Sequence, residues 1–215
     1  MKLYITLLSV ALLAFSAGSR ADAWSQSYEL EFAGKYADAA KLFDPLLKKE
    51  PDNEFARLRR AWLHYLAGDY NDSQGDYKKA LQANPRSLDA QIGLTLPLLA
   101  QQRWKEAGII ARQALEVAPW NYYAHLRLLV AEEGQRQWQT LREHSDQLHE
   151  RYPSDATILV YRARAHYWLG NMKGARENYL QVLQRVPGHI EAEQFLSLIH
   201  ISEPTRLNST SRMPS

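Results

Sequence analysis

Pro51, Pro85, Pro119, Pro153 and Pro187 follow one another at a spacing of 34 residues in this chain of 215. Proline makes up about 5% of average sequence, so four more in register after the first is on the order of a one-in-a-hundred-thousand coincidence. A period of that length marks a stack of helical hairpins. Such a stack presents surface rather than a reaction centre, so the period already bears on function.

Other positions keep the same beat. Two residues after four of the prolines stand Asn53, Ser87, Asn121 and Asp155, with His189 the departure. Asn, Ser and Asp accept hydrogen bonds from the free amides that open a helix. Each proline in turn ends the helix before it, because the preceding residue is pushed out of the α region. Midway between prolines come Gly34-Lys35-Tyr36, Gly68-Asp69-Tyr70, Gln102-Arg103-Trp104, Arg136-Gln137-Trp138 and Gly170-Asn171-Met172. Glycine at three of these bends tolerates positive φ. Each unit therefore reads as helix, short turn, helix, proline stop.

The second helix of each unit carries one packing stripe. Ala39, Phe43, Leu46 and Leu47 recur as Ser73, Tyr77, Ala80 and Leu81, as Ala107, Ala111, Ala114 and Leu115, and as Ala175, Tyr179, Val182 and Leu183. Steps of four, three and one place these on one helical face. The fourth copy (Leu141, Ser145, Leu148, His149) departs furthest. Pro45 and Pro97 fall inside predicted helices, and each should kink or shorten its helix, since an interior proline costs about 3 kcal/mol.

Gly68, Tyr70, Ser73, Tyr77, Ala80, Leu81 and Pro85, and again Gly170, Ala175, Tyr179, Leu183 and Pro187, resemble the tetratricopeptide repeat. The resemblance implies an all-α solenoid of tandem helix-turn-helix repeats, about five plus the start of a sixth. The repeats run over residues 20–53, 54–87, 88–121, 122–155 and 156–189, with a partial one at 190–195. The first helices depart from the family, with Arg57, Arg60, His64, Arg162 and His166 in places often held by larger apolar side chains.

Both ends read differently. Lys2, an apolar run from Leu3 to Phe15 and Ala21-Asp22-Ala23 describe a secretory signal peptide, residues 1–23, cleaved after Ala23. The run is short for a permanent span. Residues 196–206 read LSLIHISEPTR, which resembles the translation of a transposase-type sequencing adapter, so 196–215 are read as a non-native tail. On that reading residues 24–195 are the repeat array, a truncated fragment whose stripe Tyr179, Val182 and Leu183 lacks the polar cap that solenoid ends require.

The formal charge of +2 comes from the ends. Lys2, Arg20, Arg206 and Arg212 lie outside 24–195, as do Asp22 and Glu203, leaving 22 basic residues against 22 acidic. A nucleic-acid binder should carry a basic stripe, and none is expected here. No two histidines stand at i, i+4, the spacing that sets two imidazoles on one helical face. Glu132 and Glu133 are adjacent and so do not face each other on a helix. There is no cysteine, phosphate-binding glycine loop or serine nucleophile elbow. The chain is read as neither an enzyme nor a cofactor or metal protein.

Aromatic and arginine side chains, the types that supply binding hot spots, concentrate on the first helices. Phe55, Arg59, Trp62, Tyr65, Tyr123, Arg127, Tyr161, Arg164, Tyr167 and Trp168 are the candidate groove residues, with Tyr28 beside them. Leader and resemblance together imply a periplasmic scaffold that binds a protein or peptide partner of the cell envelope in a concave groove. Three alternatives stand beside it. The repeats are the N-terminal module of a larger outer-membrane β-barrel or polysaccharide-export protein, the accessory module of an enzyme whose catalytic domain lies beyond the cut, or an architectural element that self-associates through its uncapped last repeat.

Overall fold

The computed structural model describes residues 22–202. Most of the leader, residues 1–21, and residues 203–215 of the tail lie outside the described residues. Helix α1 covers residues 22–32. It is followed by α2 (Tyr36–Lys41), α3 (Asp44–Lys49), α4 (Glu54–Ala67), α5 (Tyr70–Ala83), α6 (Leu88–Ala100) and α7 (Trp104–Val117). Then come α8 (Tyr122–Gly134), α9 (Trp138–Arg151), α10 (Ala156–Trp168), α11 (Met172–Arg185) and α12 (Ile190–Ser202). No strand occurs among the described residues.

The punctuation works as its chemistry predicts. Asn53, Ser87, Asn121 and Asp155 accept from the amides of Ala56, Ala90, Ala124 and Ile158 at 3.0, 3.3, 2.9 and 3.0 Å. His189, the departure in sequence, does the same job: its Nδ1 accepts from the amide of Ala192 at 3.3 Å. Between the helices of a pair, Gly34, Gly68 and Gly170 take φ of 72°, 85° and 79°. Gln102 and Arg136 hold the same left-handed turn at 58° and 56° without being glycine. A side chain there costs about 1–2 kcal/mol. Gln102→Gly and Arg136→Gly are therefore each expected to raise the melting temperature, with a gain of about 0.5–1 kcal/mol after the added entropy of the unfolded chain. No gain at either position in calorimetry would contradict that account.

The chain falls into two compact units, one ending at Gln135 and one beginning at Arg136. In the first unit, Pro45 divides the second helix of the opening repeat. Helix α2 stops at Lys41, whose carbonyl would meet the proline ring, and α3 restarts at Asp44. Pro97 does not shorten its helix: α6 has 13 residues, as do α8 and α10. It sits in the last turn, where one ladder bond is lost and no second turn depends on it. Phe43, Leu47, Ala56 and Leu63 form one core cluster, and Ala61, Tyr77, Leu94, Leu98, Leu99, Ala107 and Ala131 another.

The second unit is built the same way. The divergent stripe of the fourth repeat still packs, with Leu141, Ser145 and Leu148 all buried. Leu159, Val160, Ala163, Tyr179, Val182 and Ala192 make the core, against which Leu183, Phe195 and Leu196 pack.

The arginines that replace apolar residues are inter-helix clamps. On α4, Arg60 reaches Asp44 16 residues back at 2.6 Å and Asp76 16 residues forward at 2.7 Å. Three repeats on, Arg162 of α10 reaches Asp146 16 back at 2.7 Å and Asn178 16 forward at 3.0 Å. A second recurrent bond ties α4, α6 and α8 each to the proline before it. Arg57 donates to the Pro51 carbonyl, Gln91 to Pro85 at 3.1 Å and His125 Nε2 to Pro119 at 3.0 Å. Leu159 has nothing to donate at this register, and Arg185 supplies the Pro153 carbonyl instead, at 3.1 Å. These carbonyls lie just past the ends of α3, α5, α7 and α9, in the connections to the next helices.

Around Arg162 the second unit holds two histidines below their ordinary range. Burial lowers His149, aided by Arg162 and Arg185 against Asp146. Burial also lowers His166, with Arg162 and Arg142 acting against Asp146 and Glu177. Below the ordinary value near 6.5 the unfolded chain takes up these protons before the folded one does. Stability of this unit is then full above that value and falls as the pH drops below it. Melting temperatures measured across pH 5 to 7 test this, and His149→Gln with His166→Gln should flatten the slope.

Candidate interaction surface

The candidate residues of the first unit sit on α4 and α8. Phe55 and Tyr123 occupy the same repeat position and are exposed by 78% and 60%. One turn on, at a shared register, stand Arg59 and Arg127. Arg59 is not available to a ligand. It bonds Glu31 of α1 at 2.5 Å, lies within 3.3 Å of Ser27 Oγ and stacks 3.9 Å over the Tyr28 ring. Trp62 is half-buried and donates from Nε1 to the same Glu31 at 2.9 Å. Tyr65 leans on Trp62 and Tyr70, with ring centres 5.6 and 6.0 Å away. Between the two exposed rings, α6 contributes Asp89 and Gly93 at the matching positions.

In the second unit, Arg164 is committed to Glu191 of α12 at 2.8 and 2.6 Å. Tyr161 lies beside it, with the guanidinium 5.4 Å from the ring centre. Glu191 also accepts from the Tyr179 hydroxyl at 2.5 Å. Burial works to raise this carboxyl, but the bonds from Arg164 and Tyr179 outweigh it and hold it below the usual range. Trp168 is 59% exposed and stacks flat on Trp138 at 5.2 Å, while Tyr167 stands edge-on to Phe195 at 5.6 Å. The end of α10 and the start of α9 thus form an aromatic ledge of two tryptophans.

Sequence reasoning found the rings and the arginines but missed the carboxylates. Glu31 and Glu191 answer Arg59 and Arg164 from 28 and 27 residues away. The signal was present as an acid one repeat, less about two turns, from each arginine; it becomes visible only once first helices are known to lie side by side. Among the described residues no cluster of three or more acidic or histidine side chains is placed to hold a metal ion. No described helix is long and apolar enough to cross a membrane.

Profiles of the tetratricopeptide repeat match residues 25–73, 58–124 and 158–189. The chain belongs to the tetratricopeptide repeat family. No curated protein matches this tetratricopeptide repeat chain in sequence. Among solved structures, TTC0263, a thermophilic TPR protein of Thermus thermophilus, is 18% identical, with 83% of this chain and 98% of that one covered at a TM-score of 0.63. MamA from Desulfovibrio magneticus RS-1 is 16% identical, with 80% and 97% covered at 0.71. YrrB, a TPR protein with an unusual peptide-binding site, is 16% identical, with 80% and 88% covered at 0.68. At these identities the likeness is one of fold.

Proposed function

We propose that this tetratricopeptide repeat chain is an exported scaffold, working in the periplasm, that binds a peptide segment of another envelope protein on its first-helix face. The observation that carries the reading is the pair Phe55 and Tyr123, large rings held at one repeat register and left open to solvent. Rings of this kind, on a preformed helical frame, bind at a low entropic cost. The peptide-binding site of YrrB, on the same fold, supports the choice of ligand class. Export rests on the leader, whose positive start, apolar run and small residues before Trp24 fit secretion.

Two measurements test it. N-terminal sequencing of the protein recovered from a periplasmic extract should begin at Trp24; a retained leader counts against export. Panning a displayed random-peptide library on the purified chain should enrich sequences that Phe55→Ala with Tyr123→Ala no longer retains. Equal retention by wild type and variant would remove this face as the binding surface.

A further inference from the structure

Arg59 and Arg127 stand two repeats apart at the same register of their helices, yet their surroundings differ: Arg59 is stacked on Tyr28 and bonded to Ser27 and Glu31, whereas Leu96 takes the register of Tyr28 and Arg127 Nε has no acceptor. Around Arg59, the preceding first helix supplies Ser27 and, one turn further, Glu31. Around Arg127, the preceding first helix is α6, and Thr95 occupies the place of Ser27. The likeness is close: Ser27 donates to Trp24 and Thr95 to Ile92, each to a carbonyl three residues back. The place of Glu31, however, is taken by Leu99, which is buried in the core cluster. No carboxylate among the described residues of the unit therefore meets Arg127. Its Nε is buried with no acceptor, whereas Arg57, Arg59 and Arg60 on α4 are all paired with acids. Tyr123, one turn earlier on the same helix face, leaves its ring open beside it.

A half-buried guanidinium without an anion keeps the cost of lost hydration and gains nothing in return. The pairing at Arg59 shows what this register accepts: a carboxylate brought in across the first-helix face. We infer that Arg127 receives an acidic side chain of the bound peptide, with Tyr123 covering the adjacent residue. This rests on the peptide-binding reading above and narrows it to an acid-bearing segment.

Peptides enriched on the purified chain are resynthesised with a blocked C-terminus, in Glu or Asp form and in the matching amide form. On the wild type, exchanging the acid for its amide should weaken binding about tenfold or more, the worth of a charge-assisted hydrogen bond. On Arg127→Gln the exchange should change nothing, and Arg127→Lys should restore part of the difference. Arg127→Gln should also leave the melting temperature in place, while Arg59→Gln lowers it by stranding Glu31. The inference is overturned if acid and amide forms bind alike, if the difference survives in Arg127→Gln, if blocking the C-terminus abolishes binding, or if Arg127→Gln melts as early as Arg59→Gln. Enrichment of no peptide at all would instead overturn the broader reading.

Discussion

Asp76→Ala is expected to be the most damaging single substitution in the first unit, costing about 3–5 kcal/mol. Asp76 is 4% exposed and is the carboxylate partner of Arg57, at 3.2 Å, while Arg60 binds it twice, at 2.7 and 2.8 Å. Burial works against the Arg60 guanidinium, but the bond from Asp76 outweighs it and holds the group more firmly charged than usual. Without the acid, Arg57 stays buried and Arg60 half-buried among α3, α4 and α5, with a single exposed aspartate, Asp44, left to answer Arg60. The melting temperature should fall by about 10 °C or more. The repeats themselves supply the control. In the third repeat the corresponding residues are Gln91, Leu94 and Ile110, with Leu94 buried and Ile110 packed against the same core. Copying them as Arg57→Gln, Arg60→Leu and Asp76→Ile should recover most of the loss, because a buried ion cluster exchanged for matched apolar groups is often neutral. If the triple variant is no more stable than Asp76→Ala, charge stranding is not the cause.

Gly93→Val comes second. A β-carbon on Gly93 would lie 2.2 Å from Cε1 and 2.5 Å from Cζ of the Tyr77 ring, which is itself 4% exposed. The ring of α5 fills the space on α6 that a side chain would otherwise take. Valine adds two further carbons and must displace it, at about 3 kcal/mol or more. Tyr77→Ala alone leaves a cavity and costs a similar amount. Made together, the two should cost less than their sum by about 1 kcal/mol or more, since one clears the room the other needs. Strict additivity in denaturant titrations would show that the ring does not hold this position.

Much of the site could be read from residue order, and the unread part has one cause. Phe55, Tyr123 and Trp168 are local facts: an aromatic on a first helix, placed by the caps at Asn53, Asn121 and Asp155. Arg59, Arg127 and Arg164 look alike in sequence, and their fates differ. Two are spent on Glu31 and Glu191, and one is not. That difference depends on which residue of the neighbouring first helix stands opposite, a relation between residues about a repeat apart. His189 shows the reverse case, where a residue with no usual capping preference caps its helix because Nδ1 happens to point at the Ala192 amide.

Residue order alone settled that this chain is a run of helical hairpins, where each begins and stops, and which face of each second helix is apolar. Those properties follow from backbone rules that act within a few residues: proline before a stop, an oxygen at the cap, small and large side chains three and four apart. Only the tertiary structure decided which acids answer the arginines of the first helices, that Tyr77 replaces the missing side chain of Gly93, and that Arg127 is left without an acid. Those outcomes require helices from different repeats to be laid against each other, and pairing across such distances leaves no mark on local spacing.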